Sequence, residues 1–239
     1  MAFDPNSVRA LSFDIFGTVV DWYGSIAREV QRIGLPVPGG DGGGGAFALA
    51  WRAGYGPSMQ EVRDGRLPWT NLDGLHRRTL NTLLKQHGIT LAEQQAADLN
   101  RIWHRLDAWP DSVPGLTRLK RRYTITSLSN GHVALLVALA KHAGLPWDTV
   151  LSAELFGHYK PDPEVYLGAA RLLGLEPEAL MLVAAHPADL RGAKAAGLRT
   201  ALVHRPLERG PGGAMEPWAE GEFDLVADDI EALASKLGA

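Results

Sequence analysis

The sequence contains no cysteine, and this absence excludes disulfides, thiolate metal sites and cysteine nucleophiles. An excess of charge of one sign is also missing, since 24 lysines and arginines face 27 aspartates and glutamates for a formal net charge of −3. Nucleic-acid-binding domains normally present a basic face. We therefore expect no nucleic-acid partner.

Long apolar runs are missing as well. No stretch approaches the roughly 20 residues that a membrane-spanning helix needs, and the N-terminus lacks the basic-then-apolar pattern of a secretory signal. These absences predict a cytoplasmic protein with no membrane partner. At 239 residues, the chain has room for one large domain or for a domain with a sizeable insertion.

The second half of the chain alternates between two patterns, and this alternation predicts an α/β fold. Strand-like runs, counting one near the N-terminus, lie at 8–13, 123–128, 149–152, 180–184, 200–203 and 224–227. Helical patterns lie at 132–143, 163–173, 187–196 and 229–237. Strands that alternate with helices form a Rossmann-like parallel sheet flanked by helices.

The stretch after the first strand is almost entirely helical, with a first helix at 21–34 and further segments at 46–63, 70–87 and 91–107. It contains no convincing strand, so we expect an inserted helical domain, the cap segment, at 21–110. The α/β core then comprises 1–20 and 111–239. Between the first two helices, the glycine-rich run at 36–45 predicts a flexible connector, because no Lys-Ser/Thr follows it as in a phosphate-binding loop.

Four short motifs fall at the carboxyl ends of predicted strands, where open α/β sheets place their chemistry. They are Asp14-Ile-Phe-Gly-Thr18, Ser127-Leu-Ser129-Asn130-Gly131, His158-Tyr-Lys160-Pro-Asp-Pro-Glu-Val-Tyr166 and Val183-Ala-Ala185-His186-Pro-Ala-Asp189. The first joins a buried strand directly to a carboxylate. These motifs predict one shared active site.

In their order and in their residues, the four motifs resemble those of the haloacid dehalogenase superfamily, and specifically of its (S)-2-haloacid dehalogenases. The resemblance extends over essentially the whole chain. Ser-Asn-Gly and Lys-Pro-Asp-Pro with a following Tyr are the specific parts. The resemblance implies a hydrolase that converts short L-2-haloacids to D-2-hydroxyacids and halide through an aspartyl ester. It implies a small-molecule haloacid as the partner and no cofactor, and it leaves a homodimer open.

The resemblance also implies roles for individual residues. Asp14 is the nucleophile, and the catalytic group further includes Thr18, Lys160, His186 and Asp189. Substrate or halide is bound by the backbone N–H groups of Ile15 and Phe16 and by the side chains of Arg52, Ser129, Asn130 and Tyr166. Arg52 follows Trp51 in the predicted cap segment and resembles the arginine of the family's cap.

Each of these residues also has an ordinary structural interpretation. Asp14 could cap a strand end, Lys160 and Arg52 could be solvated, and Tyr166 could belong to the core. Ser129 and Asn130 could satisfy a turn, and a lone histidine such as His186 is most often a hydrogen-bonded core residue. The four motifs together favour the functional interpretation.

Two positions argue against phosphate transfer on this fold. The superfamily's phosphatases use Mg²⁺, which prefers oxygen ligands, and they resemble one another in acidic residues where this chain has Phe16 and Ala185. We therefore expect no metal site. A small-molecule phosphatase or phosphonate hydrolase is the alternative enzyme, and a degenerate binding protein is the non-enzymatic one. An α/β-hydrolase dehalogenase is excluded because the chain has no Gly-x-Ser-x-Gly.

A haloacid substrate poses an electrostatic problem, because a carboxylate nucleophile must approach an anion. Two charges about 4 Å apart interact by roughly 4 kcal/mol at an effective dielectric constant near 20. We therefore expect about two cations to offset the repulsion between the nucleophile and the substrate carboxylate, and Lys160 and Arg52 are the candidates. Asp189 and His186 are both candidates for activating water in the second step. The related enzymes have Asn at the position of His186 and Tyr at the position of Phe16.

Overall fold

The computed structural model describes residues 3–239 and, within them, a parallel sheet of six strands in the order β5-β4-β1-β6-β7-β8. The strands of this sheet are β1 (Ala10–Phe13), β4 (Thr124–Ser129), β5 (Thr149–Ser152), β6 (Leu180–Ala184), β7 (Arg199–Val203) and β8 (Leu225–Ala227). Phe13 pairs with Ser127 on one side and with Val183 on the other. Asp14, the next residue, therefore stands at the centre of the sheet's carboxyl edge.

Five helices of the α/β core flank this sheet in the described part of the chain: α6 (Ser112–Leu119), α7 (Val133–Ala143), α8 (Pro163–Leu172), α9 (Pro187–Ala195) and α10 (Ile230–Lys236). The α/β prediction is confirmed, and the predicted strands and four helices agree within two residues. Helix α6 was not predicted. Its sequence includes Pro114 and Gly115, which obscure a helical pattern.

The inserted segment begins and ends at a short antiparallel ladder between β2 (Val20–Asp21) and β3 (Asp107–Ala108). Its helices are α1 (Trp22–Arg32), α2 (Gly43–Ala53), α3 (Tyr55–Arg63), α4 (Leu72–Gln86) and α5 (Glu93–Asn100), followed by a 3₁₀ turn at Arg101–His104. The sequence did not reveal β2 or β3, because two-residue strands are too short to show alternation. The predicted helix at 46–63 is two helices that meet at Gly54.

The glycine-rich run is not simply a flexible connector, because Gly43, Gly44 and Gly45 form the first turn of α2. A Cβ on Gly44 would lie 2.7 Å from the backbone oxygen of Ala27, and one on Gly45 would lie 2.1 Å from the hydroxyl of Tyr23. These glycines let α2 pack closely on α1. A sequence pattern rich in glycine does not distinguish this close approach from a linker.

Aromatic packing and polar contacts join the cap segment to the core. The ring of Phe16 meets Trp103 edge-on with centroids 5.6 Å apart, so the phenylalanine beside the nucleophile is part of this apolar contact. On another side, Asp73 of α4 lies 2.8 Å from His104 and 3.5 Å from His132 of the core. Although burial opposes it, these histidines lower the pKa of Asp73 below its ordinary value.

Within residues 3–239, none of the helices is both long enough and apolar enough to cross a membrane.

Candidate active site

A cavity of about 190 Å³ lies between the carboxyl edge of the sheet and the cap segment. It is lined by Asp14, Arg52, Tyr55, Met59, Asn130, Lys160, Pro161, His186, Ala188 and Asp189. Residues from all four motifs line it or adjoin it. The small volume suits a substrate of only a few heavy atoms.

Asp14 is only 7% exposed and is surrounded by donors. Its Oδ1 accepts from the Lys160 ammonium at 2.9 Å. Its Oδ2 accepts from the Thr18 hydroxyl at 2.8 Å and lies 3.1 Å from His186 Nδ1. The Ala185 N–H donates to Thr18 Oγ1, which directs the hydroxyl hydrogen towards Asp14. Burial raises the pKa of Asp14, but Lys160 and His186 lower it more, so the carboxylate is charged.

Lys160 is fixed at both ends. Its backbone N–H donates to Asn130 Oδ1 at 2.7 Å, and its ammonium also bonds Asp189 Oδ2 at 2.5 Å. Despite its burial, the two carboxylates raise the pKa of Lys160 above its ordinary value. Tyr166 donates to Asp189 Oδ1 at 2.6 Å. Tyr166 therefore positions Asp189 and does not itself line the cavity.

Glu208 completes the charged network and was not identified from the sequence. Its Oε1 lies 2.9 Å from His186 Nε2 and accepts from the Trp22 indole at 2.9 Å. Gly17, at φ +90°, leaves room for it, because a Cβ there would lie 2.3 Å from Glu208 Oε1. Burial lowers the pKa of His186, but Glu208 and Asp14 raise it to about 10.

Glu208 belongs to the loop after β7 and carries no recognisable motif. The only signal was topological: β7 is parallel to β6, so its carboxyl end opens onto the same edge as Asp14. In the same loop, the Arg205 guanidinium donates to the Thr18 backbone oxygen at 2.8 Å and pairs with Asp111. A search for charged residues after every strand would have included both.

Arg52, on α2, is the cation of the cap side. Its guanidinium carbon lies 4.0 Å from the ring centroid of Tyr55 and 5.7 Å from that of Trp22. Its Nη1 is buried and has no hydrogen-bond partner within residues 3–239. A buried donor without a partner is costly, so this group is suited to receiving an anion.

Tyr55 and Met59 also line the cavity, but they were not identified from the sequence, although their spacing contains a signal. Together with Arg52 they are spaced by three and four residues, which places them on one side of consecutive turns of α2 and α3. Burial raises the pKa of the Tyr55 phenol, so its hydroxyl keeps its hydrogen.

The structure separates the other predicted ligands. Asn130 lines the cavity, whereas Ser129 is fully buried and its hydroxyl accepts from the Gly131 N–H at 3.1 Å. In the described chain, the backbone N–H groups of Ile15 and Phe16 have no protein acceptor, but neither residue lines the cavity. Ser129 is therefore placed to shape the turn beneath Asn130.

The residues of the site do not fit a divalent metal ion. The side chains of Phe16 and Ala185 are apolar and buried, so they offer no oxygen ligand. The Lys160 ammonium lies between the carboxylates of Asp14 and Asp189, within hydrogen-bond distance of both. A positive charge of the protein itself thus occupies the position between these carboxylates.

A family model described as haloacid dehalogenase-like hydrolase matches residues 8–197. Among solved structures, an L-2-haloacid dehalogenase is 46% identical, with a TM-score of 0.90 over 96% of this chain and 99% of that one. A defluorinating L-2-haloacid dehalogenase is 44% identical, with a TM-score of 0.91 over the full length of both chains.

The curated relatives include enzymes with two different activities. The (S)-2-haloacid dehalogenase of Xanthobacter autotrophicus is 30% identical over 83% of this chain and 76% of its own. Hexitol phosphatase A of Escherichia coli (strain K12) is also 30% identical, over 94% of this chain and 93% of its own. The choice between them therefore depends on the site.

Proposed function

The chain belongs to the haloacid dehalogenase-like hydrolase family, and from that premise we propose that it hydrolyses the carbon–halogen bond of short L-2-haloacids. The observation that carries the proposal is the contrast between Asp14 and Arg52. Asp14 is a buried, ionised nucleophile held by three donors. Arg52 is a cation at the same cavity, with a donor that has no partner among the described residues.

The charges around the cavity suit an anionic substrate. Among the described residues, the cations are Lys160, His186 and Arg52, and the carboxylates are Asp14, Asp189 and Glu208. These charges balance before substrate binds. Since Arg52 forms no ion pair with any carboxylate that the structure describes, its charge remains available to the substrate carboxylate or to the departing halide.

In the first step, an Asp14 oxygen attacks the carbon that bears the halogen. A C–O bond forms, the C–halogen bond breaks, and the halide leaves with the bonding electrons. Lys160 holds the substrate carboxylate, while Arg52 and Asn130 receive the halide. Attack from behind inverts the centre, so an L-2-haloacid gives a D-2-hydroxyacid.

In the second step, water attacks the carbonyl carbon of the Asp14 ester, and the hydroxyacid leaves with its oxygen. The chiral carbon is not touched in this step. We propose that neither step uses a metal, that the enzyme acts in the cytoplasm, and that the chain divides into a core (1–20 and 111–239) and a cap (21–110).

Heavy-oxygen labelling tests the covalent route. With enzyme in excess over L-2-chloropropionate in heavy-oxygen water, the first product should be unlabelled and the peptide containing Asp14 should gain the label. Asp14→Asn should lower turnover by at least about 10³-fold, since removal of a catalytic nucleophile can cost up to about 10⁶-fold. Circular dichroism should be unchanged, because the amide is nearly isosteric.

The opposite labelling, with heavy oxygen in the first product and none in Asp14, would establish direct attack by water on carbon. A panel that includes chloroacetate and fluoroacetate extends the test, because one solved relative is described as defluorinating. No halide release from any of these acids, together with Mg²⁺-dependent hydrolysis of p-nitrophenyl phosphate, would establish the phosphatase alternative.

A further inference from the structure

The two ring nitrogens of His186 both face carboxylate oxygens. Nδ1 lies 3.1 Å from Asp14 Oδ2, and Nε2 lies 2.9 Å from Glu208 Oε1. An ionised carboxylate only accepts hydrogen bonds, and a neutral imidazole has only one N–H. Both contacts are satisfied together only when both nitrogens carry hydrogen, so the geometry requires an imidazolium.

The two oxygens of Asp14 are not equivalent. Oδ2 has two donors, the Thr18 hydroxyl at 2.8 Å and the His186 ring. Within the described chain, Oδ1 has one donor, the Lys160 ammonium. Oδ1 therefore retains more free lone-pair density and is the attacking oxygen, while Oδ2 becomes the carbonyl oxygen of the ester.

We propose that His186, held as a cation by Glu208, forms with Thr18 the oxyanion site for hydrolysis of the Asp14 ester. Asp189, the other candidate base that the sequence offered, then accepts the proton from water. This inference rests on the proposed function. It assigns Glu208 as a positioning residue that acts through His186. It also removes His186 from the candidates for the base, because an imidazolium has no lone pair with which to take a proton.

The step balances as follows. Water forms a bond to the Asp14 carbonyl carbon and gives a proton to the Asp189 carboxylate, while the carbonyl electron pair moves to Oδ2. The negative charge on Oδ2 is met by the two donors already bonded there. The carbonyl then reforms, the bond from carbon to Oδ1 breaks, and the departing alkoxide takes the proton back from Asp189. Asp14 then carries the second proton of the attacking water, and it finally releases this proton to solvent.

The charged groups around His186 preserve its charge through the cycle. Asp14 reaches it from the end of β1, and Glu208 reaches it from the loop after β7. Lys160, Asp189 and Arg52 line the same cavity. When Asp14 becomes an ester, one carboxylate contact is lost, but the contact with Glu208 remains. Glu208 therefore continues to favour the charged form of His186 while Asp14 is esterified.

Glu208→Gln tests the assignment through the pH dependence of ester hydrolysis. Without the carboxylate, the pKa of His186 should fall towards the ordinary value of about 6.5, so the cation is present below that pH and lost above it. In the wild type the ester should decay at a constant rate from about pH 6 to 8. In the variant the rate should fall as pH rises, to a deficit of about 10- to 100-fold at pH 8, since an oxyanion donor contributes about 10²–10³-fold.

A histidine that acts as a base gives the opposite sign. Ester hydrolysis in Glu208→Gln would then rise with pH through the same range and exceed the wild-type rate at neutral pH, which would overturn the proposal. The experiment follows the ester on Asp14 by mass spectrometry after rapid quenching, so it separates this step from halide release. A complete lack of halide release or of ester in the wild type would instead refute the proposed function.

Two further measurements do not depend on the stability of the Glu208 variant. The carbon resonance of the His186 ring in the resting enzyme should not titrate below about pH 9, and titration near its ordinary value of about 6.5 would overturn the proposal. His186→Asn keeps a neutral donor and should hydrolyse the ester slowly at every pH between 6 and 8. Glu220→Gln, at an exposed glutamate after β7, is the matched charge control and should behave as wild type.

Discussion

On the core wall of the cavity, carboxylates and cations are bonded to one another, whereas on the cap wall Arg52 faces aromatic rings. Asp14 and Asp189 both contact Lys160. Arg52 lies over Tyr55 and has a buried N–H without a partner in the described chain. The core wall is therefore organised before substrate arrives, while the cap wall is left to be completed by a ligand.

This division suits a reaction that moves negative charge. Donors fixed in advance around Asp14 need little reorganisation when charge develops there. A fully paired Arg52 would have to break an ion pair before it could bind an anion. Held by ring faces, to which a guanidinium is attracted by about 0.5–2 kcal/mol, it can exchange that contact for a stronger one with the substrate or halide.

Among the variants, Arg52→Ala should cause the largest loss of turnover. The cap wall then loses its cation and the core wall stays intact, so we expect turnover of L-2-chloropropionate to fall by about 100-fold, as expected for roughly 2.7 kcal/mol of lost stabilisation. Arg52→Lys should recover little, because a point charge does not reproduce the planar guanidinium. Steady-state halide release measures both variants.

Arg66→Ala is the control for this experiment, since Arg66 belongs to the same segment but its side chain is 61% exposed. It should retain wild-type turnover. An Arg52→Ala enzyme with the activity of this control would mean that the cap wall supplies no charge to the reaction, and that Arg52 only stacks on Tyr55.

The same two walls explain what the sequence could and could not predict. Asp14, Asn130, Lys160 and Asp189 follow strands and belong to contiguous motifs, so a reader of the sequence can place them at one edge. Glu208 lies in a loop without a motif, and only the three-dimensional path of that loop brings it to His186.

The cap segment was predicted as helical, but its detailed packing was not. Gly44 and Gly45 were interpreted as part of a linker because their close approach to Ala27 and Tyr23 is a contact between two helices, which the glycine pattern alone does not reveal. Arg63 was not singled out from the sequence, although its guanidinium donates to the Lys160 backbone oxygen at 2.9 Å. Such contacts between elements leave no local periodicity.

An intermediate effect should follow from removing that contact. Arg63 also donates to the Tyr159 backbone oxygen at 3.1 Å and pairs with Asp162 at 3.0 Å, so it ties the cap segment to the loop that carries Lys160. Arg63→Ala should lower kcat by about 10-fold, because small displacements of a catalytic group are costly. It should also lower the free energy of unfolding by about 1–2 kcal/mol, through loss of charged hydrogen bonds.

Asp162→Asn is the matched variant for Arg63, because it weakens the ion pair and leaves both backbone contacts in place. Its kcat should fall by less than about twofold, as for a part-exposed ion pair. Equal losses of kcat in the two variants would mean that the ion pair, rather than the support of Lys160, determines the effect. Urea unfolding and halide release give the two quantities separately.

The smallest effect, none at all, should come from chelation. The core wall already holds a cation between Asp14 and Asp189, and Phe16 and Ala185 offer no oxygen ligands. A divalent ion would have to displace the Lys160 ammonium, whose contact with Asp14 also lowers the pKa of the nucleophile. Halide release should therefore be equal with EDTA and with added Mg²⁺. If activity disappears with EDTA and returns with Mg²⁺, a metal replaces Lys160 at this wall during turnover, and the contrast between a completed core wall and an open cap wall no longer describes the working enzyme.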